Sequence, residues 1–294
     1  MRKRVQIAGV VQGVGFRPHV YRLAGTWGLA GFVQNTPSGL IVEVEGEAEP
    51  LTGFLAALGR DPPPLAQVAS LVVGEVPATG ESGFAILASG AGARATGAGI
   101  APDTAPCALC QSDYRTPGNR RYSYPFTNCT HCGPRYTLTR GLPYDRPQTT
   151  MAAFRQCAAC QREYDDPASR RFHAQPNACP ECGPELRLGE CSGAAALARA
   201  RELLAAGAIL AIKNVGGYQL ACDAANQEAV ARLRARKRRP AKPLALLAPD
   251  LATVERVCEV DASEQACLRQ AARPILLLRR RAAPGRALAA AVAP

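Results

Sequence analysis

The sequence predicts a multidomain protein in which an α+β fold is joined to an α/β fold through a metal-stapled middle. Three observations predict it. The first ninety residues run strand, helix, strand, strand, helix, strand; residues 107–182 hold eight of the twelve cysteines in four Cys-x-x-Cys pairs; and the last hundred residues alternate helical and strand patterns around a basic segment.

In the first part, Val5–Val10 and Leu40–Glu45 alternate apolar and polar as half-buried strands do, and Gly31–Gln34, Ser70–Glu75 and Phe84–Leu87 also read as strands. Phe16, Val20, Leu23, Ala24 and Trp27 share one face at helical spacing, and Pro50–Leu58 makes a shorter amphipathic set. That order predicts a ferredoxin-like sandwich. Between the first strand and the first helix lies the turn Val11–Arg17. Gly13 and Gly15 leave its backbone uncovered, so several N–H groups converge on one point at a helix N-terminus, an arrangement that holds anions. Arg17 adds a planar fork suited to phosphate oxygens. The plainer alternative is a tight connection beside a surface arginine.

The turn Val11–Arg17, followed eighteen residues after Arg17 by Asn35 within Gly31–Gly39, resembles the acylphosphatase family across residues 4–90. The resemblance implies that Gln12, Gly13, Val14, Gly15, Phe16 and Arg17 bind the phosphate, that Arg17 grips the phosphoryl group, and that the Asn35 amide orients the attacking water. An acyl phosphate is already activated, so a cradle and a placed water suffice without a covalent nucleophile. His19 and Tyr21 are expected to be scaffold. The domain is expected over residues 1–88, with a linker rich in Ala, Gly, Ser, Thr and Pro over 89–105.

The cysteines form a duplication. Cys107, Cys110, Cys129 and Cys132 recur fifty positions later as Cys157, Cys160, Cys179 and Cys182. Asp113-Tyr114 answers to Glu163-Tyr164, Arg120-Arg121 to Arg170-Arg171, and Cys132-Gly133-Pro134 to Cys182-Gly183-Pro184. A Cys-x-x-Cys turn supplies two corners of a tetrahedron and a second turn closes it. The eighteen-residue gap has zinc-ribbon spacing. Two structural Zn²⁺ ions are therefore expected, in modules spanning 106–140 and 141–190. Disulfides or a dithiol redox motif are the alternatives, and regular pairing without a secretory signal disfavours both. His131 and His173 are expected beside the sites rather than as ligands. The segments between the cysteines are too short for a core of their own, so metal must supply much of the folding free energy.

The formal charge of +11 divides into −1 over residues 1–90, +3 over 91–190 and +9 over 191–294. Two loaded four-thiolate sites would lower the total to about +7. Charge alone suggests nucleic acid or a phosphorylated ligand. The Arg120-Arg121 and Arg170-Arg171 pairs allow phosphate contacts, yet the modest charge of the middle favours a spacer or a partner-docking surface over DNA reading. Met1–Arg4 resembles the start of a signal peptide, but Gln6 and Gln12 break the apolar run behind it and no stretch is long enough to span a membrane, which points to the cytoplasm.

In the last third, Ala194–Ala206 reads as a helix ending at Gly207, Ala208–Lys213 as a strand, Asn226–Arg236 as a helix and Pro243–Leu247 as a strand. The cations of Leu233–Leu244 suit a triphosphate, or form a solvated basic face. Lys213–Ala224 and Arg236–Leu244 resemble the nucleotide-binding domain of the carbamoyl-adenylate-forming, YrdC-like family. On that resemblance Lys213, Lys237, Arg239 and Lys242 hold the phosphates of ATP, with Mg²⁺ accompanying the nucleotide, in a domain expected over 191–294. Cys191, Cys222, Cys258 and Cys267 lack pairing grammar and are expected as small buried hydrophobes.

The whole order resembles the carbamoyltransferase family that matures [NiFe]-hydrogenases. That implies hydrolysis of carbamoyl phosphate in the first domain and ATP-dependent adenylation of carbamate in the YrdC-like one. A further domain then transfers the carbamoyl group to a cysteine of a partner protein, where it becomes the cyanide ligand of iron, without membrane or nucleic acid. Because the sequence stops at Ala291–Pro294 inside the YrdC-like pattern, a fragment or one part of a split protein is expected. Two alternatives stay open: a general acylphosphatase with zinc docking modules, and a non-enzymatic basic zinc protein that binds nucleic acid.

Overall fold

Alternation over Arg4–Ile7 of β1 (Arg2–Gln12) puts Val5 and Ile7 on a buried face and Arg4 and Gln6 on an exposed one. The computed structural model describes residues 1–90, 98–214, 216–281 and 288–294, which form two compact units, Met1–Pro184 and Glu185–Pro294. In the first unit, α1 (Phe16–Thr26), β2 (Ala30–Thr36), β3 (Gly39–Glu45), α2 (Ala48–Arg60), β4 (Gln67–Val76) and β5 (Phe84–Ile86) follow β1. The strands order as β4-β1-β3-β2-β5, antiparallel except where β5 joins β2. Phe16 and Val20 of α1 and Leu51 and Phe54 of α2 pack with Val5, Ile7, Val42 and Val44 into one core. This is the ferredoxin-like sandwich that the βαββαβ order predicts.

The opposite face of the sheet carries charge. Arg2 is 5% exposed, yet its guanidinium meets Glu43 at 2.8 Å, Glu45 at 3.2 Å and Glu81 at 3.1 Å, so its burial is compensated by three carboxylates. Part of the expected linker, residues 91–97, lies outside the described residues. Its last stretch is no free tether: β6 (Ala98–Ile100) pairs in parallel with the end of β1, past the irregularity at Ala8/Gly9 in the β1–β4 pairing, and Ala101 joins the core.

The two cysteine copies fold alike. Cys107 and Cys157 are the N-cap residues of α3 (Ala108–Arg115) and α4 (Ala158–Asp165), with φ, ψ of −69°, 165° and −70°, 164°. Each helix carries the second cysteine of its pair one turn in, and a chain reversal returns the other two. Ser123 and His173, fifty apart, both sit at positive φ, 55° and 52°.

In the second unit, a short ladder of β7 (Arg187–Leu188) and β8 (Cys191–Ser192) precedes α5 (Gly193–Ala205). The antiparallel pair β9 (Leu210–Asn214) and β10 (Gly217–Ala221) follows, and then α6 (Gln227–Lys237), α7 (Leu251–Val257) and α8 (Ala262–Arg269). Asn226 caps α6 by accepting from Ala229 N at 2.9 Å. Val230 of α6 packs with Ala289 and Val292, and Cys222 and Leu244 lie against them. Cys191, Cys222, Cys258 and Cys267, expected as buried, are all half-buried rather than fully enclosed. The expected strand Pro243–Leu247 does not form. Among the described residues no strand lies beside it, so it has no ladder to join, and Leu244 N bonds Val292 O instead.

Candidate active site at the glycine turn

The turn between β1 and α1 folds as its glycines demand. Gly13 and Gly15 have φ of +73° and +79°, a left-handed conformation open to glycine at no steric cost. Among the described residues no acceptor is paired with the amides of Gly13, Val14 or Gly15, and Phe16 and Arg17 occupy the first turn of α1, where N–H groups lack intrahelical partners. Five successive amides, Gly13–Arg17, therefore lie unpaired at a helix N-terminus, the arrangement that holds anions. The side chain of Gln12 is spent on scaffolding: its amide donates to Thr36 O at 2.7 Å and Gly39 O at 2.9 Å, and its oxygen accepts from Tyr144 N at 2.8 Å.

Arg17 and Asn35 come from different elements and meet here. Arg17 is 8% exposed and Asn35 1%. With the Asn35 amide turned so that its oxygen faces the guanidinium, it accepts from Arg17 Nε and Nη2 at 3.2 Å each. Arg17 Nη2 also donates to Asp145 Oδ1 at 2.8 Å and to Tyr144 O at 3.3 Å. Asp145 has Ser89 Oγ on its other oxygen.

Asp145 shows what sequence reasoning missed: the middle of the chain roofs this turn. A narrow cleft lies between Gly13, Gly15, Arg17 and Asn35 on one side and Tyr144 and His173 on the other. Arg135 pins the two sides together, donating from Nε to Gly13 O and from Nη2 to Cys129 O at 2.6 Å. A side chain at Gly13 would also meet Tyr144 Cε1 at 3.2 Å, and one at Gly15 would meet Thr130 Cβ at 3.3 Å. The duplication offered a signal for these residues. Thr130, His131 and Arg135 stand where the second copy has Pro180, Glu181 and Glu185, so the first copy departs from the repeat where it touches the turn.

His173 lines the cleft with Nδ1 unpartnered, and burial, then the Arg17 charge, hold its imidazole down to about 4. The unfolded chain takes up that proton near pH 6.5, whereas the native state resists it until about pH 4. Stability is therefore untouched above the upper value and falls as pH drops through the window. His173→Asn should flatten that fall in denaturation midpoint between pH 6.5 and 4, and an unchanged slope would show that the imidazole titrates normally.

The cysteines gather into two clusters, Cys107, Cys110, Cys129, Cys132 and Cys157, Cys160, Cys179, Cys182, with the sulfurs of each within 4.8 Å of one another. Neighbouring sulfurs stand 3.7–3.8 Å apart, far beyond disulfide length. A tetrahedron with Zn–S bonds of about 2.3 Å has edges of roughly 3.8 Å, so the donor set fits Zn²⁺.

The arginine pairs are exchanged between copies. Arg120 Nη2 lies 3.3, 3.5 and 3.1 Å from the sulfurs of Cys157, Cys160 and Cys179, and Arg170 Nη1 lies 2.9 Å from Cys110 Sγ. Arg121, 1% exposed, donates to Glu163, Asn177 Oδ1 at 2.9 Å and Ala178 O at 2.8 Å, while Arg171 pairs with Asp113. Each copy thus neutralises the thiolates and acidic residue of the other. The phosphate contacts that these arginines could allow are disfavoured further, because their N–H groups are engaged by sulfur, carboxylate and carbonyl. Arg121→Met would remove the nearest cation of Glu163, leaving it only Arg120 at 3.4 Å and Arg171 at 3.7 Å, and would leave Asn177 Oδ1 without its donor, which should destabilise the second copy. It should speed release of the metal held by Cys157–Cys182, seen as one fast and one slow phase with a colorimetric chelator. Two equally fast phases would contradict the exchange.

In the second unit, Lys213 lies on exposed β9, Lys237 ends α6, and Arg239 and Lys242 lie in the loop beyond it. Arg239 Nη2 donates to Pro243 O at 2.8 Å. Arg234, read from sequence as one more cation, is buried and donates to the carbonyls of Arg239 at 2.7 Å, Lys242 at 3.2 Å and Val292 at 2.9 Å, so it shapes that loop.

Comparison with known proteins agrees with these elements. Residues 3–86 match the acylphosphatase family, residues 107–139 and 157–188 the HypF finger, and residues 202–294 the Sua5, YciO and YrdC family described as telomere recombination. The acylphosphatase of Methylococcus capsulatus is 46% identical over 88 residues, 29% of this chain and 95% of that one. The first domain is therefore a member of the acylphosphatase family, fused to a duplicated four-cysteine segment. The Cupriavidus necator protein named carbamoyltransferase HypF2 is 51% identical over 289 residues, 96% of this chain and 36% of that one. A crystal structure described as full-length HypF in the phosphate- and nucleotide-bound form superposes with a TM-score of 0.92 at 39% identity, over 99% of this chain and 38% of that one. The chain belongs to the HypF family, and it spans little more than a third of the length of these HypF relatives.

Proposed function

We propose that residues 1–88 hydrolyse carbamoyl phosphate, as the first step of a carbamoyltransferase of [NiFe]-hydrogenase maturation. The observation that carries this reading is the meeting of Arg17 and Asn35, 3.2 Å apart, beside a turn with unpaired amides. The amides of Gly13–Arg17 and the guanidinium take the phosphoryl oxygens, and the Asn35 amide holds a water in line with phosphorus. Water attacks phosphorus, the P–O bond to the acyl group breaks, and its electron pair leaves on carbamate; carbamoyl phosphate dianion and water give carbamate and H₂PO₄⁻.

Carbamate and ATP, with Mg²⁺, are then the substrates of the second unit, where Lys213, Lys237, Arg239 and Lys242 hold the nucleotide phosphates. The acceptor of the carbamoyl group is a cysteine of a maturation partner protein. Two Zn²⁺ ions occupy the four-cysteine clusters as structural ions, which suits the reducing cytoplasm. Among the described residues no helix is long and apolar enough to cross a membrane.

The test is phosphate release from carbamoyl phosphate by the purified chain. A chain that releases none from carbamoyl or acetyl phosphate, yet holds arbitrary duplex DNA with a steep salt dependence, would contradict the proposal and favour the nucleic-acid alternative.

A further inference from the structure

Resting on that hydrolytic reading, we propose that Tyr144 and Asp145 recognise the acyl end of the substrate and select an acyl phosphate bearing an amino group over one bearing a methyl group.

The first support is where these residues come from. The Methylococcus capsulatus acylphosphatase is matched over 95% of its length by 29% of this chain. A complete acylphosphatase therefore has no counterpart of Tyr144 or Asp145, and what they do at the cleft is additional to hydrolysis.

The second support is charge. Asp145 Oδ1 sits 2.8 Å from Nη2 of the arginine meant for a dianion. A carboxylate there repels the phosphoryl group, and a site that answered to phosphate alone would be better without it. The cost is offset if the ligand brings hydrogen-bond donors of its own. Carbamoyl phosphate does, through two N–H bonds that acetyl phosphate lacks.

The third support is the available acceptors. A carboxylate offers about four lone-pair sites and a carbonyl two. Asp145 uses one on Arg17 and one on Ser89, and Tyr144 O, 3.3 Å from Arg17 Nη2, uses one when the Asn35 amide is turned as above, so both keep capacity beside the cradle. Their position is fixed to the turn itself, because Tyr144 N donates to Gln12 Oε1 at 2.8 Å. Tyr144 also brings an orphan: its residue is 3% exposed and its hydroxyl has no partner among the described residues. The ring packs on Gly13 and the residue lines the cleft, and in the proposal that hydroxyl is a donor to the acyl carbonyl oxygen. Acceptors left unpaired by the wrong substrate discriminate more strongly than apolar shape does.

The experiment measures kcat/KM for carbamoyl and acetyl phosphate with the 294-residue chain and with Asp145→Asn, Asp145→Glu and Tyr144→Phe. The wild-type chain should favour carbamoyl phosphate by about 10-fold or more. Asp145→Asn should bring the ratio towards unity, mainly through the carbamoyl phosphate KM, and Asp145→Glu should retain more of it. Tyr144→Phe should lower turnover of both substrates, since both have the carbonyl. Inhibition by inorganic phosphate, retained in Asp145→Asn, shows that the cradle has folded. Equal wild-type use of the two substrates, or an equal fall on both in Asp145→Asn, would overturn the proposal and leave Asp145 as a prop for Arg17. Hydrolysis of neither by the wild-type chain would overturn the acylphosphatase reading itself, and this inference with it.

Discussion

Arg17→Ala is expected to lower turnover of carbamoyl phosphate by about 10²- to 10³-fold, the usual loss when one preorganised donor to a developing anion is removed. The expectation rests on the geometry around the side chain. Arg17 is the cation beside the five amides of the turn, and Asn35 and Asp145 hold its Nη2 from the far side. Removing it leaves the Asp145 carboxylate facing the incoming phosphoryl group without its ion-pair partner, so KM should rise as well as kcat fall. Steady-state assays on variant and parent, with circular dichroism to confirm the fold, decide the matter. Activity near that of the parent would remove Arg17 from the site.

Stripping metal should unfold residues 105–190 and spare 1–88. Structural zinc sites contribute apparent binding free energies of about 10–16 kcal/mol, as much as an ordinary domain's entire stability. The middle of the chain has only scattered apolar residues besides, such as Tyr124, Met151 and Phe172, and the apolar cluster of the first copy is made of Cys110, Cys129, Cys132 and Cys107 themselves. The acylphosphatase core, from Val5 to Leu58, contains no cysteine. Treatment with a strong chelator followed by limited proteolysis should cut within 105–190 and leave a resistant N-terminal fragment. Unchanged protease resistance across the middle would contradict the account.

Local pattern made much of this legible beforehand. β1 and β3 alternate, α1 keeps one apolar face, and the glycines of the turn sit at the positive φ that their placement requires. The cysteine spacing located both clusters, because two turns and a fixed gap are local facts. Long-range chemistry was hidden. Arg135 reaches Gly13 across 122 positions and Asp145 reaches Arg17 across 128, and no periodicity marks such a meeting. Arg121 and Arg234 read as surface cations, since composition does not reveal that a guanidinium will find enough carbonyl or carboxylate partners to be buried. Pro243–Leu247 has an apolar strand pattern, yet strand formation depends on a neighbour that the pattern does not disclose.

The most direct measurement follows the fate of the water. Purified chain and carbamoyl phosphate are incubated in H₂¹⁸O and the phosphate is read by ³¹P NMR. Attack on phosphorus by a water held at Asn35 predicts one ¹⁸O in each phosphate released, at a rate that Asn35→Ala reduces to the uncatalysed level. Phosphate that emerges unlabelled, or labelled equally fast without Asn35, would contradict the account.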